Sequence, residues 1–134
     1  MERFNLGDKL TKEKAANMNA VVLAFIGDAV YSLYVREKLA FSSDAKAGEL
    51  NRLATKEVRA TAQAAFIAEM LPALTEEELA IYKRARNSKK STKSKSSSVQ
   101  EYNMSTGFEA VLGYLYVTGD TQRLNELLNF KVQE

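Results

Sequence analysis

The chain contains no cysteine and no histidine. Disulfide bonds, zinc sites built from thiolate or imidazole, and Ser-His or Cys-His nucleophile pairs are therefore excluded. Any chemistry must use carboxylates, hydroxyls, amines or a hard cation such as Mg2+. No apolar run approaches the roughly 20 residues that cross a bilayer. The first residues also lack the apolar core of a signal peptide, so we expect a cytoplasmic protein with no membrane association.

Glycine and proline are scarce, with six glycines and one proline in 134 residues. Both residue types interrupt helices, and their scarcity leaves helical periodicity as the dominant pattern. Alternation typical of strands is absent, and no internal repeat is visible. The hydrophobic fraction of 46% is sufficient for a folded core. We predict one all-α domain over residues 1–134.

Apolar spacing and helix-end signals predict the positions of five helical blocks. The first covers residues 17–39, where Gly27 either breaks the helix or permits a close helix crossing. The second begins near Asp44, a suitable N-cap, and ends before Pro72. The third begins at Thr75, because Thr75 and Glu78 have the spacing of a capping box. Two further helices are predicted over residues 103–117 and 121–130.

Basic charge is concentrated in one segment, although the net charge is only +2. No acid lies between Glu78 and Glu101, and seven of the 19 basic residues fall in that interval. Residues 88–98 contain six serines and four lysines and are predicted to form a flexible, exposed basic loop. Such asymmetry favours contact with a polyanion, although a solvated linker is the alternative.

The residues of this basic stretch suit contact with a nucleic-acid backbone. Arginine and lysine neutralise phosphates, and asparagine and serine add hydrogen bonds to phosphate and sugar. No aromatic residue lies between Arg84 and Val99, which argues against stacking of single-stranded bases and favours recognition of a duplex by shape. The candidate nucleic-acid-binding residues are Arg84, Arg86, Asn87, Lys89, Lys90, Lys93 and Lys95.

Two acids, Asp28 and Glu109, interrupt segments that are otherwise apolar or small. We expect both helices to be buried, and carboxylates are rarely buried unless they are paired or bind a metal. A divalent cation would satisfy both acids at once, whereas a buried salt bridge or a helix cap is the alternative. Small neighbours would leave room for metal, water and phosphate; they are Ala24, Ser32, Ser105, Thr106 and Gly113.

Two motifs resemble the catalytic domain of the ribonuclease III family. Residues 19–31, Asn-Ala-Val-Val-Leu-Ala-Phe-Ile-Gly-Asp-Ala-Val-Tyr, are similar to its signature helix. Residues 108–116, Phe-Glu-Ala-Val-Leu-Gly-Tyr-Leu-Tyr, are similar to its second acidic motif, and residues 48–53 fit its connecting helix. The chain ends soon afterwards, so we expect no double-stranded RNA-binding domain, as in the short Mini-ribonuclease III branch.

This resemblance implies a compact helical endonuclease domain that forms a two-fold homodimer, with Phe25 at the dimer seam. It also implies Mg2+-dependent cleavage of double-stranded RNA to 5′-phosphate and 3′-hydroxyl ends, with Asp28 and Glu109 as the catalytic, metal-binding acids. Precursor 23S ribosomal RNA, cut near both ends of the mature molecule, is the implied substrate. Longer members have acids where this chain has Ala24 and Thr106.

Two other functions fit the same residues. An RNA-binding module without catalysis would bind duplexes but would not cut them in Mg2+. A helical ribosome-associated scaffold would respond to neither RNA nor Mg2+. A ribosomal protein is a further candidate partner.

Overall fold

The computed structural model describes residues 8–42, 44, 46–58, 60–88 and 99–130, without the side chains of residues 57–62. These residues contain helices and connecting turns but no strand, which confirms the all-α prediction. None of the helices they form is long and apolar enough to cross a membrane. The helices are α1 Lys12–Ala16, α2 Ala20–Ser42, α3 Ala47–Val58, α4 Ala60–Met70, α5 Glu76–Arg86, α6 Val99–Val117 and α7 Thr121–Leu128, with a 3-10 turn at Leu71–Ala73.

The central feature is a close, antiparallel crossing of α2 and α6. A Cβ atom on Gly27 would overlap the carbonyl oxygen of Glu109, and one on Gly113 would overlap the carbonyl oxygen of Leu23. Moving forward along α2 therefore corresponds to moving backward along α6. Helix α2 continues through Gly27 without a break. Of the two predicted roles for Gly27, the close crossing is confirmed.

Helix α6 is the core of the domain, because nearly every residue from Ser105 to Leu115 is buried. Helix α4 packs beside it in parallel orientation, since Gln63 contacts Ser105 and, one turn later, Phe66 contacts Phe108. The Phe108 ring also meets Tyr31 of α2 edge to face, with ring centroids 5.7 Å apart. Aromatic packing therefore joins α2, α4 and α6 around one point.

Helix α5 begins with the predicted capping box. The Glu78 N–H donates to the Thr75 hydroxyl oxygen at 3.1 Å, and the Thr75 N–H donates to Glu78 Oε1 at 2.9 Å. The same carboxylate accepts two hydrogen bonds from Arg123 of α7, at 2.8 and 2.9 Å. Burial alone would raise the pKa of the Glu78 carboxyl, but the hydrogen bonds from Arg123 and Thr75 hold it below its ordinary value. One carboxylate therefore joins the start of α5 to α7.

Several helix boundaries differ from the prediction. The second predicted block begins at Ala47 rather than near Asp44. It contains two helices, α3 and α4, on either side of residue 59, which is outside the described residues. Helix α6 begins at Val99, earlier than predicted, because its first turn is solvated and lacks the apolar spacing on which the prediction relied. The short helix α1, capped by the Thr11 hydroxyl, was not predicted at all.

Candidate active site

Asp28 and Glu109 lie on facing turns of α2 and α6. Gly27 immediately precedes Asp28 and lies against the backbone of Glu109, so the backbone segments that bear the two acids meet at the crossing. Asp28 is exposed and Glu109 is half-buried. The prediction that both acids are buried is therefore wrong for Asp28, because the other helices cover only one face of α2.

The uncovered face of α2 is apolar beside Asp28. Phe25 is 80% exposed, Val22 46% and Leu33 49%. The prediction that the Asp28 helix is wholly buried is wrong, since an apolar side chain does not by itself indicate whether it meets the core or a partner. A contiguous apolar face next to an exposed acid is typical of a surface that another molecule covers.

The small residues near Glu109 do not border an open space, contrary to expectation. Ser105 and Thr106 are buried, and the Thr106 hydroxyl donates to the Tyr102 carbonyl oxygen at 3.0 Å. Gly113 lies against the backbone of α2. Ala24, also expected to leave room beside Asp28, is itself only 4% exposed. These residues serve helix packing, so only the exposed side of the crossing is open to a ligand.

The donor set at the crossing fits a hard cation that keeps most of its water. Among the described residues, no group of three or more Asp, Glu, His or Cys side chains could enclose a metal ion. Two carboxylates are nevertheless sufficient for Mg2+, which dehydrates reluctantly and is commonly held by one or two carboxylates with waters. The exposure of Asp28 leaves the site open to water and to a phosphate group.

Arg84, a predicted RNA-binding residue, has a structural contact. Its guanidinium donates to the carbonyl oxygens of Ala16 at 2.7 Å and Met18 at 2.9 Å. Carbonyls at the end of a helix have no partner within the helix, so this arginine satisfies two acceptors where α1 ends. Arg84 thereby ties α1 and the start of α2 to α5.

The two neighbouring candidates are also engaged within the protein. The Arg86 Nε–H donates to Asn87 Oδ1 at 3.1 Å, and its guanidinium lies 5.6 Å from the centre of the Tyr82 ring. Asn87 is the C-cap residue of helix α5. These contacts fix the side chains where the basic loop begins. Four further candidates lie outside the described residues and stay predictions; they are Lys89, Lys90, Lys93 and Lys95.

Gln63 is a buried polar residue that the sequence prediction missed. It is 1% exposed, and its Oε1 atom accepts a hydrogen bond from the Ser105 hydroxyl at 2.6 Å. A signal was present, because Gln63 is the one polar residue between Ala62 and Ala68. A lone polar residue in an apolar run is the same pattern that drew attention to Asp28 and Glu109.

Comparison with protein families defines the class of the chain. Residues 21–120 match the model of the ribonuclease III domain. The matched region contains helices α2 to α6, the crossing and both acids. The fold and the match together define an endoribonuclease domain of the kind that acts on double-stranded RNA.

Similar proteins place the chain more narrowly. A Mini-ribonuclease 3 of Clostridium tetani is 40% identical, over 98% of this chain and 88% of that protein. One from Streptococcus pneumoniae is 49% identical over 87% of this chain and 93% of its own length. The crystal structure of a Fusobacterium nucleatum protein aligns with a TM-score of 0.75 at 28% identity, covering 84% of this chain and 90% of that one. The chain belongs to the ribonuclease III family and, within it, to the Mini-ribonuclease 3 branch.

Proposed function

We propose that this endoribonuclease uses Mg2+ at Asp28 and Glu109 to cut double-stranded precursor 23S ribosomal RNA near both ends of the mature molecule. The observation that supports the site most strongly is the glycine crossing, where the backbone segments that bear the two acids meet and Asp28 is exposed. The family supplies the reaction class, and the 23S substrate follows from the resemblance of the two motifs.

The two acids have distinct roles in this proposal. Asp28, being exposed, presents its carboxylate to the incoming phosphodiester, while Glu109 supplies a second, half-buried carboxylate from the core helix. Two negative charges alone would repel RNA, so these residues require a cation before the backbone can approach. When bound, a divalent cation supplies Lewis-acid stabilisation of charge at the phosphate and at the departing 3′ oxygen. The expected products have 5′-phosphate and 3′-hydroxyl ends.

The basic loop would grip the duplex through phosphate contacts. The contacts of Arg84 and Arg86 within the protein leave the proposed phosphate-binding role chiefly to the loop lysines. Each neutralised phosphate releases counterions, so binding should weaken steeply as salt is added. Helix α5 ends at Arg86 and α6 begins at Val99, so the loop is anchored at both ends by helices of the core.

We also propose a cytoplasmic homodimer that buries the exposed face of α2. Phe25 is the most exposed residue of that face, and Asp28 follows it by one helical turn. A second copy related by a two-fold axis would cover the apolar side chains and place two acid pairs on one duplex, one for each strand. A ribosomal protein that binds the same RNA is a further partner that we propose.

Cleavage of a long RNA duplex in Mg2+ tests the proposed site. We expect Asp28→Asn and Glu109→Gln each to lower the cutting rate by at least about 100-fold, because even partners of metal ligands typically cost 10- to 100-fold when removed. Glu37→Gln is the matched control, since Glu37 is an exposed acid on the same helix as Asp28. If the two site variants cut as fast as the wild type, the assignment is refuted. If the wild type binds the duplex but does not cut it, the RNA-binding module is favoured.

A further inference from the structure

Helix α2 continues beyond Asp28 with a hydroxyl and a guanidinium on its uncovered side. Ser32 follows Asp28 by about one turn and is half-buried, and Arg36 follows Asp28 by about two turns and is exposed. Residues four apart lie on the same side of a helix, so the three side chains form a row that turns slowly around α2. At 1.5 Å of rise per residue, this row is about 12 Å long.

Arg36 differs from the other arginines because it has no partner among the described residues, either in a hydrogen bond or in an ion pair. No acid stands three or four residues before or after it on α2, where a helical ion pair would form. Glu37 is adjacent in the chain, and adjacent positions on a helix do not face each other. Each other arginine with a described side chain has a partner within the protein; they are Arg52, Arg84, Arg86 and Arg123.

The hydroxyl of Ser32 is also unused within the part of the chain that the structure describes. A serine or threonine in a helix commonly donates to the carbonyl oxygen four residues earlier. Thr106 and Thr118 do so, at 3.0 and 2.8 Å. A hydroxyl and a guanidinium with no partner in the described protein therefore follow the exposed acid at successive turns of α2.

This row suits the backbone of a duplex. A duplex presents a phosphate on each strand about every 3 Å along its axis, so 12 Å corresponds to about four phosphates. A guanidinium binds a phosphate through two parallel N–H donors, and a hydroxyl donates to phosphate or sugar oxygens. Neither contact requires a particular base, as expected for recognition of double-stranded RNA by shape.

We propose that Ser32 and Arg36 bind the backbone of the RNA strand that is cut, with Arg36 on a phosphate about four nucleotides from the scissile one. The inference rests on the proposed function, in which Asp28 holds a cation at the scissile phosphate. Arg36 follows Leu33, the last residue of the apolar face beside Asp28, by three residues. It therefore lies at the end of the proposed dimer face, and a charged residue suits the solvated rim of such an interface.

Arg36→Gln and Lys38→Gln are a matched pair, because each removes one positive charge from α2. Lys38 is already engaged within the protein, since its Nζ lies 5.5 Å from the centre of the Tyr34 ring. Affinity for an RNA duplex is measured in EDTA at several salt concentrations. Arg36→Gln should weaken binding about tenfold and reduce the slope of log affinity against log salt by about one. Lys38→Gln should leave that slope unchanged. Ser32→Ala should weaken binding about threefold without changing the slope, because a hydroxyl carries no charge.

Uncharged methylphosphonate linkages locate the contact. They are placed one at a time along the cut strand of a duplex that the wild type cuts at one position. The linkage about four nucleotides from the cut should weaken binding by the wild type about tenfold. The same linkage should leave binding by Arg36→Gln unchanged, because the two changes remove the same interaction. In Mg2+, Arg36→Gln should raise the duplex concentration for half-maximal cutting about tenfold and leave the maximal rate nearly unchanged.

The possible outcomes distinguish this contact from the site itself. If Arg36→Gln binds the duplex with the affinity and the salt slope of Lys38→Gln, the contact is refuted. If Arg36→Gln instead converts dimer to monomer without changing the slope, Arg36 belongs to the dimer interface and the contact is refuted as well. If Asp28→Asn abolishes cutting while Arg36→Gln binds and cuts like the wild type, only the present inference fails. If Asp28→Asn cuts as fast as the wild type, the proposed function fails, and the distance assigned between Arg36 and the cut fails with it.

Discussion

Replacing Gly27 with alanine tests the crossing on which the site depends. The added Cβ would overlap the Glu109 carbonyl oxygen and would lie 2.6 Å from the carbonyl carbon and 2.9 Å from the Gly113 nitrogen. Ordinary contacts of a Cβ atom are about 3.4–4 Å. The obstacle is backbone on a buried helix rather than a movable side chain, so α2 and α6 must separate by at least about 1 Å.

The cost of that separation follows from the packing that it loosens. A gap of about 1 Å forfeits a quarter to a half of the dispersion energy between facing atoms. The side chains that face each other at the crossing, among them the fully buried Leu23, would together lose about 4 kcal/mol on this basis. Alanine recovers about 1 kcal/mol through its higher helix propensity. We expect a net loss of about 3 kcal/mol, or roughly 10–15 °C in unfolding temperature for a domain of this size.

Urea unfolding followed by circular dichroism measures this loss, at several protein concentrations because of the proposed dimer. Gly48→Ala is the matched control. No atom lies within 4 Å of the added Cβ at Gly48, which is exposed in the first turn of α3. That variant should be unchanged or more stable by about 0.5 kcal/mol. If Gly27→Ala unfolds at the same urea concentration as Gly48→Ala, the close approach of the backbones does not exist.

Two further predictions concern contacts outside the crossing. Arg123→Met should destabilise the protein by about 2–3 kcal/mol at pH 7, because it leaves the Glu78 carboxylate buried without its guanidinium partner. In the wild type the pKa of Glu78 is lowered, so its contribution is complete above the unfolded pKa and is lost as the pH falls through the folded pKa. The difference in free energy of unfolding between the wild type and Arg123→Met, measured by urea unfolding, should therefore shrink as the pH falls toward 4. A difference that stays constant with pH would contradict the pairing of Glu78 with Arg123. Arg84→Gln should lower the unfolding temperature without changing how steeply duplex affinity falls with salt, whereas Lys89→Gln should reduce that slope by about one. A reduced slope for Arg84→Gln would show that this arginine binds phosphate.

Features encoded within a few residues were predicted well from the sequence. The capping box at Thr75 depends on local chemistry and was found where expected. The helical class and the family resemblance also came from the sequence, because periodicity and motif spacing are local patterns as well. The crossing at Gly27 was predicted only as one of two alternatives, since the partner helix is distant in the chain.

Features that depend on distant contacts could not be predicted in the same way. The exposure of Asp28 depends on which face of α2 the other helices cover, and no pattern within α2 contains that information. Arg84 looked like a phosphate-binding residue because the carbonyl oxygens that it contacts belong to residues 16 and 18, far away in the sequence. Ser105 and Thr106 were expected to leave open space beside Glu109, and that expectation failed for the same reason. Small residues permit either a cavity or close packing, and only the neighbouring helices decide which one occurs.

The pairing of α2 with α6 also has a consequence for how the protein is made. Helix α2 precedes α6 in the chain, with α3, α4 and α5 between them, so a nascent chain carries Asp28 long before Glu109 has been synthesised. Until α6 leaves the ribosome, the face of α2 that packs on α6 lacks that partner helix. Such distant pairing also slows folding relative to bundles of helices that are adjacent in the sequence. The proposed acid pair can therefore assemble only after α6 has been synthesised and has left the ribosome.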